Sequence, residues 1–171
     1  MLTESDAYLF GIVALLIVEI VLFIMKVNTK QKVMVGLFVI YITLALSVTL
    51  FPIPFQETYI SGYEYNFIPF KSIVSSIEAG LKPAIMSVVG NIILTMPFGF
   101  LVTLIRKNKK FLYTFMLVIF FSLSIEFLQL SIGFVIGYRY RNVDIDDLIL
   151  NTVGGIIGFW IYKITPKKYY R

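Results

Sequence analysis

Five runs of about twenty predominantly apolar residues decide what this chain can fold into. They extend from Ala7 to Met25, Val33 to Phe51, Ala84 to Ile105, Phe111 to Ile132 and Asp146 to Ile164. A bilayer core takes about 20 residues of helix. Inside lipid only a helix or a closed barrel satisfies its own backbone. The reading is an all-α integral membrane protein with five transmembrane helices, forming a single membrane domain over residues 1–171. Composition agrees: 58% hydrophobic residues against 15% charged is more apolar surface than a 171-residue domain could hide in a soluble core. With neither Cys nor His, disulfides, thiol nucleophiles, imidazole bases and the usual zinc sites are excluded.

The formal charge of +5 is concentrated in short flanks of the apolar runs. Lys26, Lys30 and Lys32, then Arg106, Lys107, Lys109 and Lys110, then Lys163, Lys167, Lys168 and Arg171 make eleven of the 15 basic residues, with no acid between them. Anionic lipid headgroups explain such flanks better than a nucleic-acid partner does. The positive-inside rule places them in the cytoplasm, with the N-terminus outside and the C-terminus inside. The acidic start Met1 to Asp6 has no basic stretch and no small-residue cleavage site, so the first run reads as an uncleaved helix. Segments 52–83 and 133–145 then lie outside. In the first of these, Phe70, Ile73, Val74, Ile77 and Leu81 recur at helical spacing opposite Lys71, Ser72, Ser75, Ser76 and Glu78, the pattern of a helix lying in the interface. Tyr8, Trp160, Tyr162, Tyr169 and Tyr170 fit interfacial anchoring.

Three spans carry polar stripes: Ser87, Asn91 and Thr95; Ser122, Glu126 and Gln129; Asp147 and Asn151, continued by Gly154 and Gly158. Each should face other helices rather than lipid. At 1.5 Å per residue, Asn91, Glu126 and Asn151 all lie about 8–10 Å below the outer ends of their helices. The loop above them brings Arg139, Arg141 and Asp144. The sequence therefore describes one outward-facing polar pocket whose ligand-binding candidates are Asn91, Glu126, Gln129, Arg141, Asp144, Asp147 and Asn151.

An acid well inside a span costs about 2.5 to 3.5 kcal/mol on insertion scales, so Glu126 must be compensated, by protonation or by pairing with Arg139 or Arg141. Such a pair could merely lock the helices, and buried amides such as Asn91, Gln129 and Asn151 are common interhelical glue. If the pocket is catalytic, Glu126, Arg141 and Asp147 are the candidates, Glu126 as acid or base and Arg141 as anion stabiliser. No activated nucleophile is visible, so binding is expected over catalysis, without a cofactor. A divalent cation at Asp144, Asp147 and Glu126 is the alternative, since carboxylates suit hard cations. Asp144 and Asp147, at the start of the last span, also serve as helix cap and dipole complement. Gly154, Gly155 and Gly158 read as a close-packing surface and Pro97 as a kink. Glu19, alone in the first span, has no assignable role.

The stretch from 66 to 159 resembles the VanZ-like family of bacterial membrane proteins. Asn91 to Phe100, with Pro97-Phe98-Gly99, resembles the family's Asn...Pro-Phe-Gly signature. Ser124 to Gln129 is similar to its Ser-x-x-Glu-x-x-Gln. Arg141 to Gly155 resembles its Arg-x-x-Asp-x-x-Asp-x-x-x-Asn-x-x-Gly-Gly segment, and Asn66 to Lys71 its Asn-x-Ile-Pro-Phe element. The doubled pair Arg139-Tyr140-Arg141 stands where the motif needs one arginine, and spacing to Asp144 and Asp147 selects Arg141. The first two spans carry no such motif. The family's founding member is associated with resistance to the glycopeptide teicoplanin. The resemblance implies a role at the extracellular face of the bacterial cell membrane, in glycopeptide or lipoglycopeptide resistance or in cell-envelope homeostasis. Its expected partners are membrane lipids and a lipid-linked wall precursor (lipid II) or a lipidated glycopeptide. Alternatives are an intramembrane enzyme modifying a lipid-linked wall substrate and a transporter, against which five spans without an internal repeat offer no alternating-access symmetry.

Overall fold

A computed structural model of the chain describes residues 1–54, 65–106, 110–137 and 141–166. Its spans are α1 (Glu4–Ile24), α2 (Thr29–Leu50), a third span over Leu81–Ile105, α6 (Phe111–Ile136) and α7 (Ile145–Ile164), each long and apolar enough to cross a membrane. The all-α membrane class and the five spans are as the sequence indicates. The starts are set by local chemistry. At α1, Thr3 and Asp6 form a reciprocal capping box, the Thr3 N–H donating to Asp6 Oδ2 at 2.7 Å. At α2, Asn28 Oδ1 accepts the Gln31 N–H at 2.9 Å.

The amphipathic segment is a helix, α3 (Lys71–Glu78). The third span begins at Leu81, three residues before the first apolar residue of the sequence reading. It runs through α4 (Leu81–Ala84), one π-helical turn (Ile85–Val89) and α5 (Gly90–Ile105). Pro83 fits there because its missing N–H falls in the first turn, where no helical partner exists. The one parallel pair between named strands joins β1 (Tyr65–Asn66) to β2 (Val143–Asp144), and an antiparallel bridge links Leu2 to Ile53. The strand pair, α3 and the Leu2–Ile53 bridge share one end of the bundle, here the cap end. The turn between α1 and α2, the C-terminus of α5 and the N-terminus of α6 lie at the other.

The centre of the bundle is α7, because its glycine face allows backbones to meet. A Cβ on Gly158 would strike the Met96 carbonyl, one on Gly154 the Ile92 carbonyl, and one on Gly99 the carbonyl of Gly155. Gly155 itself stands against Val118 of α6. Below this contact Phe98, Val102 and Val118 form the core, with Phe38, Tyr41 and Phe121 packed on it. Phe98 and Phe121 stack at 4.2 Å between centroids. Pro97 interrupts the helical ladder inside α5, and the Tyr41 hydroxyl, which the sequence did not mark out, donates to the nearby Leu94 carbonyl at 2.8 Å.

Two readings change. Tyr162 is no interfacial anchor. It is buried, 5% exposed, with its ring edge-on to Phe100 at 6.1 Å. Its place on the face of α7 turned toward α5 overrides the interfacial preference of tyrosine. Glu19 gains a location, its carboxyl lying over Gly36 of α2, where an added Cβ would sit 3.3 Å from Oε1. Tyr169, Tyr170 and Arg139 lie outside the described residues.

Candidate functional site

The cap end is tied together by carboxylates at the start of α7. Asp144 caps that helix, its side chain accepting the Asp146 N–H at 2.9 Å, and also accepts from Asn66 Nδ2 at 2.9 Å. Asn66 donates as well to Ser72 Oγ at 2.9 Å and accepts the Ile68 N–H at 3.1 Å, so it fixes the entry into α3. Asp146 is 1% exposed and accepts three backbone N–H groups at the start of α3, those of Phe70, Ser72 (2.9 Å) and Ile73 (3.2 Å). These are donors that a helix N-terminus leaves without partners, and a carboxylate there complements the dipole. Asp147 accepts from Asn91 Nδ2 at 2.6 Å, joining α7 to α5.

A second polar layer lies one turn deeper. Asn151 Nδ2 donates to Ser122 Oγ at 3.1 Å and the Asn151 carbonyl accepts from Thr95 at 2.6 Å. The three stripes therefore do face one another. Glu126, 9% exposed, sits beside this layer, with the Asp144 backbone N–H directed at its carboxyl and Asp147 and Asp144 as charged neighbours. Its Oε2 is buried without a hydrogen-bond partner, and so is Asn151 Oδ1.

Arg141 does not compensate Glu126. Its Nη2 donates to the Phe51 carbonyl at 2.8 Å and to that of Val48 at 3.4 Å, while Gln129 Nε2 donates to the Thr49 carbonyl at 2.9 Å. The last carbonyls of α2 have no helical partners, and two side chains from other elements satisfy them. This sink for the guanidinium was invisible in the sequence because it consists of backbone atoms. Glu126→Gln and Arg141→Gln are accordingly expected to be additive in detergent melting, since neither residue contacts the other. A double mutant clearly more stable than the sum of the singles predicts would restore the ion pair.

The seven ligand-binding candidates do not line one pocket. Successive strand residues face opposite sides, and the β1–β2 pair separates two cavities. On the side of Asn66 and Asp144, a cavity of about 470 Å³ under α3 is lined by Ser72, Ser75, Ser76, Ser87, Asn91, Asn142, Asp144 and Asp147, among others. On the side of Tyr65 and Val143, one of about 670 Å³ is lined by Gln129, Leu130, Phe134, Val135 and Arg141, among others. Glu126 and Asn151 lie between helices and line neither. The three catalytic candidates are likewise divided, Glu126 and Asp147 being neighbours with Arg141 elsewhere. Among the described residues no group of three or more acids is arranged to hold a metal ion.

The first cavity offers hydroxyls, amides and two carboxylates, with no basic side chain among its described lining residues, and therefore suits a hydroxylated or cationic group. The π-helical turn contributes Ser87 and ends two residues before Asn91. Such turns occur frequently at functional sites, and nothing in the apolar pattern of the span announces it.

Five spans with carboxylates, amides and hydroxyls gathered at one end define a multi-pass membrane protein with a polar cap. The chain belongs to the VanZ/LLP1 family, which matches residues 38–166. It is similar to Protein VanZ of Enterococcus faecium, with 30% identity over 135 residues covering 77% of this chain and 74% of that protein. No solved structure matches. The match includes most of α2, which carried no recognisable motif, and leaves out α1.

Proposed function

We propose that this protein contributes to glycopeptide tolerance at the outer face of the bacterial membrane by binding an amphiphile, either a lipid-linked wall precursor or a lipidated glycopeptide. Membership of the VanZ/LLP1 family supports the resistance role. The observation that carries the binding reading is the cavity of about 470 Å³ under α3, where Asp144, Asp147 and Asn91 face a row of serines. Sugars and the amino groups of wall peptides carry the matching donors, and carboxylates give the stronger, charge-assisted hydrogen bonds. The acid-free basic flanks at the opposite end support the cap end being outside.

Deleting the gene is expected to raise susceptibility to lipidated glycopeptides severalfold more than to unlipidated ones, and Asp147→Asn should do the same at unchanged membrane abundance. Equal susceptibility of deletion and parent to both drugs would remove the antibiotic reading. A second reading, an intramembrane enzyme, draws on the unpartnered Oε2 of Glu126 beside Asp147. Radiolabelled precursor incubated with purified protein separates the two: saturable binding of unchanged ligand supports the first, product formation the second.

A further inference from the structure

The cavity on the Tyr65–Val143 side has a different chemistry from the one under α3, and no part of the reading above uses it. Its polar lining is Arg141, Gln129, Ser131 and Tyr65, and its apolar wall includes Leu130, Phe134 and Val135. Arg141 is held by Nη2 on the Phe51 and Val48 carbonyls. Among the described residues its other guanidinium nitrogens are not engaged, so a fixed fork of donors remains for an anion. Gln129 is oriented by its bond to Thr49, which leaves Oε1 buried and without a partner. That atom is closed to the cavity, so the group that meets an occupant is the Arg141 guanidinium, which calls for an anionic oxygen.

The position sets the rest of the occupant. The 26-residue helix α6 is about 39 Å long, more than the roughly 30 Å of a hydrocarbon core. Gln129 begins its last two turns, which end at Gly137 in the left-handed conformation (φ 83°). These turns therefore reach the level of lipid phosphates. Phe134 and Val135 are 89% and 82% exposed, an apolar lip that water would disfavour and an acyl chain would cover.

We propose that this cavity is a binding site for an anionic phospholipid. The phosphate sits on Arg141 and the acyl chain runs over Leu130, Phe134 and Val135.

The test is titration of the purified full chain, in neutral detergent, with phosphatidylglycerol or phosphatidylcholine, read by native mass spectrometry and by melting temperature. Phosphatidylglycerol should bind saturably and about tenfold or more tighter than phosphatidylcholine, and should raise the melting temperature. Arg141→Gln should abolish that preference. Because Arg141 also caps α2, Phe134→Asp is the second variant. Its side chain is exposed, so the protein should fold as the wild type does while phosphatidylglycerol binding falls about tenfold. Soluble glycerol phosphate at millimolar concentration should not shift the melting temperature. Equal binding of the two lipids, or phosphatidylglycerol binding unchanged in Phe134→Asp, would overturn the proposal. Glycerol phosphate binding as tightly as the lipid would overturn the assignment of a lipid occupant.

Discussion

Gly158→Leu should leave almost no folded protein in the membrane. Position 158 faces the Met96 carbonyl and the Phe100 N–H across the α5–α7 contact. A side chain there meets backbone, which cannot relax by changing rotamer. Overpacking a fitted core costs about 1–3 kcal/mol, and rigid backbone on the facing side places this substitution at the top of that range or beyond it. Separating α5 from α7 also pulls apart the Asn91–Asp147 and Thr95–Asn151 bonds, against a total stability of about 5–15 kcal/mol. Membrane abundance and detergent melting are the readouts. Gly90→Ala is the control on the same span. Nothing lies within 4 Å of a Cβ at position 90, and alanine favours a helix interior over glycine by about 0.5–1 kcal/mol, so this variant should melt at the wild-type temperature or above. A Gly158→Leu protein that inserts normally, melts normally and fails only in drug tolerance would show that this glycine face serves the ligand.

The spans, the short amphipathic helix and the facing of the polar stripes were legible in the sequence because each is a periodic pattern set by an apolar surrounding on one side. The glycine face of α7 was legible for the same reason, since small residues at helical spacing in a span have few other uses. Contacts with backbone were not legible. Arg141 and Gln129 end on the carbonyls of α2 and Asp146 on the N–H groups of α3, and no sequence pattern marks a partner that every residue possesses. The expected pairing of Arg141 with Glu126 failed on that ground. The division of one expected pocket into two follows from the alternation of β1 and β2, two residues each, too short to leave a periodic signal. Asn66 stands in a motif, whereas its bonds to Asp144 and Ser72 emerge only in three dimensions.

Asp146, which no motif position singled out, should control whether α3 stays on the bundle. α3 has eight residues, and isolated helices shorter than about 12–15 residues are marginal in water, so its docking depends on tertiary bonds. Three of these end on one buried carboxylate. A hydrogen bond to a charged group is worth about 1.5–3 kcal/mol. The three are not additive, and the freed N–H groups can turn to water, so a net loss of about 3 kcal/mol is expected for Asp146→Ala, or about a hundredfold rise in the undocked population. Asp146→Asn should recover little, because one of its two positions then presents an N–H₂ group to backbone donors. The chain contains no cysteine, so a single cysteine at Ser76, on the face of α3 lining the cavity, reports the change. Its reaction with an impermeant thiol reagent in intact cells should be slow in the wild-type background and accelerate by up to that factor with Asp146→Ala. The spans, which do not depend on α3, should keep the protein in the membrane. Drug tolerance should fall with docking, since Ser72, Ser75 and Ser76 leave the cavity wall together. Unchanged thiol reactivity would mean that another contact holds α3 down. Accelerated reactivity with full tolerance would show that the cavity under α3 is not where the ligand binds.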